Sequence, residues 1–409
     1  MFEPEVNPDQ IKKAELVVAI PSCHEADSIG YPTFQASEGL FRYFPGQRSI
    51  IINCDNNSPD DTKKAFLETP TKVPKLYIST APEIRGKGNN LKNLFRKVVD
   101  LEAKAIVVVD ADLKSITPEW IKHLAEPLFN DFAYVAPLYV RHKYDGTITN
   151  GIAYPLTRAL YGRRVRQPIG GDFGFSGDLA RTYLESDIWD DSIAHFGIDI
   201  WMTTLALRRG VSVCQSFMGR PKIHRPKDPA ASLGSMFRQV VGTIFSLACR
   251  FESHWLPSKY SKPTAIFGFG LGEVEMPPKV DVDTEKLFNE FSRGFQEYGA
   301  LWETLFSSDI YSKLLEIRGM KRSLLTFPTD LWARILYETA VSYRDRVIEP
   351  DRLMDSLIPL YFGRTFSFVK KTKRMSTRQA EDAIEEDCMV FEMTKPYFIK
   401  KWTETSGNQ

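Results

Sequence analysis

Hydrophobic and polar residues alternate in blocks along roughly the first 260 residues of the chain. Short runs rich in β-branched residues predict five buried strands, at 15–21, 48–54, 75–80, 104–110 and 132–139. Amphipathic or polar stretches between them predict helices at 28–44, 60–70, 89–103 and 117–129. This alternation is typical of βαβ units, so we predict an α/β fold with a mostly parallel central sheet.

The pattern changes near residue 280. Apolar residues recur at helical spacing in three long segments, at 284–306, 328–347 and 352–372. The polar, proline-containing stretch 273–285 lies before them and is typical of a junction. We therefore predict an α/β domain over 1–265 and an α-helical C-terminal domain over 280–409. The helical sequence leaves three roles open, which are closure over a substrate, formation of a homodimer, and support of the sheet.

Composition and charge exclude several classes of protein. The 409 residues are 43% hydrophobic and 26% charged, with a formal net charge of +1, which is typical of a soluble globular protein and not of a nucleic-acid-binding one. The five cysteines form no CxxC pair, which favours a reducing compartment. The N-terminus has no apolar signal core, and no apolar run approaches a membrane span. We expect a cytoplasmic protein without a membrane span.

Three of the predicted strands end in polar clusters, at 22–25, 55–58 and 110–112. Sheets of this kind bind ligands beyond the carboxyl ends of their strands. Asp110 and Asp112 are like charges with one residue between them, and a divalent cation would remove their repulsion. The alternative is that one of them caps the helix at 117–129 while the other is solvated.

Two more segments suit a nucleotide, each with a simpler alternative. In 85–90, Gly86 and Gly88 flank Lys87 just before a helix, which suits a diphosphate, although an ordinary turn has the same composition. Asp55 follows the second strand, where its carboxylate could accept the imide N–H of uracil. It could equally form an Asx turn that leads into a helix cap, and both interpretations can hold together.

The later polar segments carry three further candidates. In 166–178, Gly170 and Gly171 precede Asp172 and indicate a backbone that a ligand approaches closely. Asp199 opens an apolar helix, where an acid is also favoured by the helix dipole. His224 lies in a polar loop before a helix, either as a metal ligand or as an ordinary surface group.

These segments resemble the GT-A fold glycosyltransferases. "VVAIPSCHEADSI", "IINCDNNSPDDT" and "VVVDADL" are similar to the first strand, uridine turn and metal motif of the family 2-type enzymes. "GKGNN", "QPIGGDF" and "HRPKDPAASLGSMFRQV" resemble the retaining synthases of glucosylglycerate, glucosyl-3-phosphoglycerate and mannosylglycerate. The resemblance covers about residues 15–250 and implies a Rossmann-like nucleotide-sugar-binding domain.

The resemblance also implies roles for individual residues. Asp112 and His224 would ligate Mg²⁺ or Mn²⁺, with Asp110 on the ribose or on a metal-bound water. Lys87 would contact the diphosphate, and together with Asp172 and Asp199 it makes up the implied catalytic set. The implied donor-binding residues are Pro21, Glu25, Asp55, Gly86, Lys87, Asp110 and Ala111. The implied substrate-binding residues are Thr147, Thr149, Gln167, Gly170, Gly171, Asp172 and Arg225.

Two departures from the resemblance bear on the acceptor. The phosphoglycerate-using relatives carry an arginine where this chain has Thr147, and an asparagine where it has Pro226. Because threonine cannot replace bidentate phosphate recognition by arginine, we favour glycerate over 3-phosphoglycerate, unless Arg141, Lys143 or Arg163 supplies the charge. UDP-glucose is the favoured donor, and GDP-mannose stays open.

The resemblance therefore implies a metal-dependent enzyme that transfers a hexose with retention of configuration. Two alternatives remain. One is a metal-dependent sugar nucleotidyltransferase, which would release pyrophosphate, although its usual glycine- and arginine-rich loop is missing after "VVAIP". The other is a non-catalytic sugar-nucleotide-binding protein on the same fold.

Overall fold

The computed structural model describes residues 4–224, 229–268 and 275–406, without the side chains of 229–232 and 405–406. The strands are β1 (Glu5–Val6), β2 (Leu16–Ser22), β3 (Ser49–Asp55), β4 (Lys75–Ser79), β5 (Ala105–Val108), β6 (Tyr134–Val140), β7 (Arg163–Arg164), β8 (Phe173–Ser176), β9 (Val213–Pro221), β10 (Lys262–Pro263) and β11 (Ala265–Phe267). The helices are α1 (Gly30–Tyr43), α2 (Thr62–Glu68), α3 (Lys87–Asp100), α4 (Pro118–Ala125), α5 (Tyr154–Tyr161), α6 (Gly177–Leu184), α7 (Asp191–Ala194), α8 (Ile198–Arg209), α9 (Pro229–Arg250), α10 (Glu252–Trp255), α11 (Thr284–Leu305), α12 (Ser308–Arg318), α13 (Thr329–Arg344), α14 (Pro350–Thr372) and α15 (Thr377–Ser406).

The chain divides into two compact units, and each is made of separate pieces of the sequence. The first unit comprises Met1–Arg141, Val165–Asp228 and Thr264–Pro278. The second comprises His142–Arg164, Pro229–Pro263 and Lys279–Gln409. This division differs from the continuous domains 1–265 and 280–409 that the sequence predicts. The reason is that α5 packs on α15 and α9 packs on α14, contacts that no local pattern reveals.

One sheet organises the first unit. Within the described residues it has nine strands, in the order β1-β4-β3-β2-β5-β8-β6-β9-β11. Neighbouring strands from β4 to β5 are parallel, as are β6, β9 and β11. β8 runs antiparallel between β5 and β6, and β1 runs antiparallel on β4. The sheet is thus mixed and mostly parallel, which confirms the predicted α/β class.

The central strands are buried because helices cover the sheet, and their sequences are correspondingly apolar throughout. Every residue of β3 is buried, and β2 is buried except at Pro21. The core includes Val18, Val107 and the fully buried Trp120 of α4. Since Ser22 lies beside Asp55 in the β2–β3 register, the carboxyl ends of these strands are level. The polar clusters that follow the strands therefore share one edge of the sheet.

The second unit is mainly helical. The predicted helical segments at 284–306, 328–347 and 352–372 correspond to α11, α13 and α14, which confirms the prediction of a helical C-terminal region. A buried arginine links two of its helices, since Arg158 of α5 is paired with Glu385 and Glu392 of α15. A π-helical turn at Thr149–Ala153 leads into α5. Within the described residues, no helix has both the length and the apolar character that crossing a membrane requires.

Candidate functional site

Two aspartates meet where β5 ends and β8 begins. Val108, the last residue of β5, is paired with Phe173, the first residue of β8. This pairing brings the residues after β5 next to those before β8, and the backbone nitrogen of Asp110 donates to Oδ1 of Asp172 at 2.9 Å. Asp172 is completely buried, whereas the Asp110 side chain is 28% exposed. The Asp172 carboxylate therefore lies below the protein surface, whereas the Asp110 carboxylate is partly exposed at it.

Lys222, just after β9, is the counter-ion of both aspartates. Its Nζ donates to Oδ2 of Asp110 at 2.6 Å and lies 2.9 Å from Oδ2 of Asp172. It also donates to the carbonyl oxygen of Gly170 at 2.6 Å. These three acceptors match the three N–H donors of an ammonium group. The Lys222 side chain is only 5% exposed, and Asp172 also accepts a hydrogen bond from Tyr139.

A second lysine joins the third aspartate to the same cluster. Nζ of Lys87 lies 3.0 and 3.2 Å from the two carboxylate oxygens of Asp199, and 3.7 Å from Oδ1 of Asp110. The backbone nitrogen of Gly171 donates to Oδ2 of Asp199 at 3.0 Å. Three carboxylates and two ammonium groups thus form one connected network in the first unit.

Burial and charge act against each other within this network. Complete burial raises the pKa of the Asp172 carboxyl above its ordinary value, and the Lys222 ammonium opposes that rise. For both lysines burial favours the neutral amine, but the neighbouring carboxylates outweigh it and raise the pKa of Lys87 and Lys222. Both lysines are therefore cationic at neutral pH.

Position 171 requires glycine for two reasons, its backbone conformation and the closeness of the Asp110 side chain. Its φ of +82° lies in the region that side chains with a Cβ rarely adopt. A Cβ at this position would lie 2.3 Å from Oδ2 of Asp110. The sequence predicts close approach of a ligand at Gly170 and Gly171. In the structure the group that approaches Gly171 is the Asp110 carboxylate.

The glycines around Lys87 have a structural reason as well. A Cβ on Gly88 would lie 1.8 Å from the carbonyl oxygen of Ile193, and one on Gly86 would lie 2.3 Å from that of Ala194. Gly86 also has a φ of +107° and precedes the first turn of α3. These glycines therefore allow α3 to pack against the end of α7. This reason differs from the expected approach of a diphosphate, which stays a prediction for Lys87.

Asp112 and His224 lie on segments that the backbone brings together. Leu113 and His224 form an antiparallel bridge, and the Lys114 nitrogen donates to the Ile223 carbonyl oxygen at 2.8 Å. Asp112 is buried, whereas His224 is exposed.

The resemblance implies a divalent metal ion held by Asp112 and His224. The part of the chain that the structure describes has no group of three or more His, Cys, Asp or Glu residues able to hold a metal ion. Mg²⁺-type sites commonly take one or two protein ligands and fill the rest with phosphate oxygens and water, so Asp112 with His224 fits such a shared site. Asp110 already has Lys222 as a counter-ion, and its part in such a site stays a prediction.

Asp55 forms a local turn with Ser58, whose backbone nitrogen lies three residues on, instead of the two residues of the Asx turn that the sequence left as an alternative. Its carboxylate accepts from the backbone nitrogen and the hydroxyl of Ser58, from the Ser22 hydroxyl and from the Tyr77 hydroxyl. It is fully buried, so a uracil N–H would have to displace one of these four donors. Glu25 is also buried, and its carboxylate accepts from the Ser28 hydroxyl at 2.5 Å. For both residues a nucleotide contact stays a prediction.

The remaining predicted residues fall into several places. Pro21 is partly buried within β2, while Ala111 and Gln167 are buried in the first unit. Thr147 and Thr149 belong to the second unit, where the Thr147 hydroxyl lies 2.5 Å from that of Tyr361. Arg225 lies outside the described residues.

A cavity in the second unit contains one of these predicted residues. Its volume is about 30 Å³, and its lining includes Thr147, Arg364 and Asp387. Arg364 donates to Asp387 and to the Phe327 carbonyl oxygen, so its charge is already compensated.

Two residues at the site were not predicted from the sequence: Lys222 of the network, and Tyr139, whose hydroxyl donates to Asp172. Lys222 stands two residues before His224 in "PKIH", and Tyr139 ends a run that reads as an ordinary buried strand. Only the surplus of acidic residues at the strand ends indicated that further cations must lie nearby.

Comparisons with known proteins bear on the class of this site. No family model matches the chain. Over 253 residues it is 24% identical to a glucosyl-3-phosphoglycerate synthase of Mycolicibacterium paratuberculosis, a match that covers 56% of this chain and 71% of that protein. It is 24% identical over 249 residues to the mannosylglycerate synthase of Rhodothermus marinus, covering 58% of this chain and 56% of that protein. A Petrotoga mobilis glucosyl-3-phosphoglycerate synthase is 28% identical over 176 residues, or 39% of this chain and 52% of that protein.

Two solved structures of Mycobacterium tuberculosis glucosyl-3-phosphoglycerate synthase are also similar. One contains Mn²⁺, UDP and glucosyl-3-phosphoglycerate, with a TM-score of 0.45 and 23% identity over 57% of this chain and 79% of that one. The other contains Mg²⁺ and UDP, with a TM-score of 0.44 and 22% identity over the same shares. The chain spans little more than half the length of two of the three curated relatives.

The curated proteins to which the chain is similar are glycosyltransferases. More narrowly, they are glucosyl-3-phosphoglycerate and mannosylglycerate synthases, the group that the sequence motifs resemble. The predicted resemblance and the predicted enzyme class are thereby confirmed.

Proposed function

We propose that the protein transfers a hexose from a nucleoside diphosphate sugar to a hydroxyl group of a small acceptor. The observation that carries this proposal is the network of Asp110, Asp172 and Asp199 with Lys87 and Lys222 at the edge of the sheet. Ligands of α/β sheets bind at this edge, and the charges there suit sugar hydroxyls together with a diphosphate.

The exposed members of the network would face the donor. Asp110, Asp199 and Lys87 have side chains that are 28%, 13% and 19% exposed, so a ligand can reach them. We assign the carboxylates of Asp110 and Asp199 to hydroxyl groups of the donor, and the ammonium of Lys87 to its diphosphate. Asp172 is completely buried, so its role shifts from the sugar contact that the resemblance implies to support of Asp110.

Departure of the diphosphate develops negative charge, which positive groups fixed in advance can stabilise. Lys87 supplies such a charge, because its ammonium is already held between Asp199 and Asp110. A divalent cation held by Asp112 and His224 would, when bound, act as a Lewis acid toward the diphosphate oxygens. Retention of configuration is part of the proposal and rests on the resemblance.

For the acceptor we propose an unphosphorylated hydroxy acid such as glycerate. The arginine of the phosphoglycerate-using relatives is replaced by Thr147, which is hydrogen-bonded to Tyr361. Arg364 lines the same cavity as Thr147, but its pairing with Asp387 leaves little positive charge for a phosphate. UDP-glucose is the proposed donor.

A donor–acceptor matrix tests the proposal. UDP-glucose, GDP-glucose and GDP-mannose are each combined with glycerate and with 3-phosphoglycerate, in the presence of Mg²⁺ or Mn²⁺. Proton NMR of the products should show an α-linked hexose on glycerate and release of UDP. Release of pyrophosphate in a separate reaction of UTP or GTP with glucose 1-phosphate would indicate a nucleotidyltransferase, and binding without turnover across the panel would indicate a non-catalytic binding protein. An inverted anomeric product would reject the retaining assignment alone.

A further inference from the structure

Lys222 is placed to connect elements that the chain does not connect locally. It follows β9, while its three acceptors lie after β5 and in the loop before β8. Among these acceptors, the Gly170 carbonyl and the Asp172 carboxylate belong to one loop, and the Asp110 carboxylate belongs to the other. A single ammonium group therefore joins three strand ends of the first unit.

The connection continues from the loop to the third aspartate. Gly170 and Asp172 enclose Gly171, whose backbone nitrogen donates to Asp199 at 3.0 Å. Fixing the residues on both sides of Gly171 fixes the direction of this N–H group. The orientation of Asp199 thus depends on the same loop that Lys222 holds, although Asp199 lies at the start of α8.

Lys222 compensates a charge that is completely buried. Without it, nothing in the network would offset the repulsion between the adjacent Asp110 and Asp172 carboxylates at the position that its ammonium now occupies. Asp172 is completely buried, so its charge cannot be compensated by water. The loop and the end of β5 would have to separate, or one carboxyl group would have to lose its charge.

We infer that Lys222 is a positioning residue, whose ammonium group clamps the Gly170–Asp172 loop to the end of β5 and thereby orients Asp110 and Asp199 toward the donor. This inference rests on the proposed function for what the orientation serves. The clamp itself rests on geometry alone, so the two can fail separately. Lys222 acts through the aspartates and, being 5% exposed, is not assigned a contact with the substrate.

The first test compares Lys222→Met with Lys75→Met. Lys75 is a matched control in the same unit, because its Nζ also donates to three acceptors, the carbonyl oxygens of Phe66, Leu67 and Thr69, away from the network. Hydrogen–deuterium exchange should rise in peptides covering 108–113 and 166–176 in the Lys222 variant, and should stay at the wild-type rate there in the Lys75 variant. Unchanged exchange in both peptides would overturn the clamp, whatever the ligand measurements give.

The second test uses the charge balance. In Lys222→Met, the further change Asp172→Asn removes the uncompensated charge, so the double variant should unfold at a higher temperature than Lys222→Met alone. In the wild-type background Asp172→Asn should lower the unfolding temperature. Simple additivity of the two changes would mean that Lys222 and Asp172 act independently, which contradicts the inference.

The third test separates positioning from ligand binding. With UDP-glucose and glycerate, kcat of Lys222→Met should fall by about tenfold or more, while the Kd for UDP changes by less than about threefold. Lys222→Arg, which keeps the charge, should recover part of the lost kcat. A large rise in the Kd for UDP with kcat unchanged would instead make Lys222 a ligand contact. Absence of turnover in the wild-type protein would reject the proposed function, and the exchange and double-variant results would still decide the clamp.

Discussion

The backbone nitrogen of Asp110 lies 2.9 Å from Oδ1 of Asp172, a residue 62 positions further along the chain. This hydrogen bond forms because an antiparallel strand, β8, is inserted beside β5 in a sheet that is otherwise mostly parallel. It gives the two aspartates different surroundings, one buried and one at the surface of the site. The expected functions of the two residues differ accordingly.

Replacement of Gly171 by alanine should disrupt this arrangement. The added Cβ would lie 2.3 Å from the Asp110 carboxylate, and the alanine backbone would have to adopt a φ of +82°. Together these should lower the free energy of unfolding by about 2 kcal/mol or more and reduce turnover strongly. Gly46→Ala is the control, because a Cβ there meets nothing within 4 Å. Thermal unfolding and turnover rates measure both effects, and equal behaviour of the two variants would contradict this account of the loop.

Replacement of Asp112 by asparagine tests the metal site. If Asp112 and His224 hold a cation together with a diphosphate, the variant should lose the extra thermal stabilisation that Mn²⁺ gives in the presence of UDP. Its kcat/KM should fall by about a hundredfold or more, because loss of one ligand weakens the site. Asp100→Asn, at the exposed end of α3, controls for the change of charge. A Mn²⁺-dependent shift of wild-type size in the Asp112 variant would end the metal assignment.

Asp55→Asn distinguishes the local turn between Asp55 and Ser58 from a contact with uracil. The carboxylate accepts four hydrogen bonds, and an amide nitrogen in place of one oxygen cannot accept, so the variant should lose about 1–3 kcal/mol of stability. Asp61→Asn is the control, since this exposed residue precedes α2 without a capping hydrogen bond. Chemical denaturation measures the loss. A variant of unchanged stability whose affinity for UDP alone is reduced would favour the nucleotide contact.

The strands and helices could be predicted where their pattern is local. The five strands from 15 to 139 and the helices between them follow from apolar runs that a covered sheet requires, and the structure confirms them within a few residues. β8 was not predicted, because Phe173–Ser176 is short, contains glycine and forms a strand only by pairing with its two neighbours. The discontinuous units were not predicted either. The unit to which α5 and α9 belong is decided by the helices they pack against, and their own sequences do not show this.

The acids of the candidate site and Lys87 could be predicted from the sequence, whereas Lys222 could not. Asp110 and Asp172 stand next to buried strands and Asp199 opens an apolar helix, so each acid borders an apolar run and is visible in the sequence. Lys222 lies 112 positions from the Asp110 that it neutralises, and no spacing rule connects them. The expected reason for glycine at 86 and 88 shows the opposite difficulty, because a glycine that admits a neighbouring backbone looks the same in sequence as one that admits a ligand.

Lys395 of α15 should make stability depend on pH in the second unit. Its side chain is buried and donates to the carbonyl oxygens of Trp255 and Ser258, and burial lowers its pKa to about 8, with Glu392 opposing the shift. Below about pH 8 the lysine is charged in both the folded and the unfolded chain, so the cost of burying the charge is fully present. Above the ordinary pKa of 10.5 it is neutral in both, and that cost is gone.

The contribution of Lys395 to stability should therefore rise between about pH 8 and pH 10.5, by about 3 kcal/mol at most. Lys395→Met lacks this contribution, so the difference in free energy of unfolding between the wild type and the variant should shift in favour of the wild type across that range. Lys400→Met serves as the control, since Lys400 lies on the same helix with a side chain that is 72% exposed. Denaturant titrations at half-unit pH steps measure the difference. Parallel curves for the wild type and Lys395→Met would mean that the buried ammonium carries no such cost.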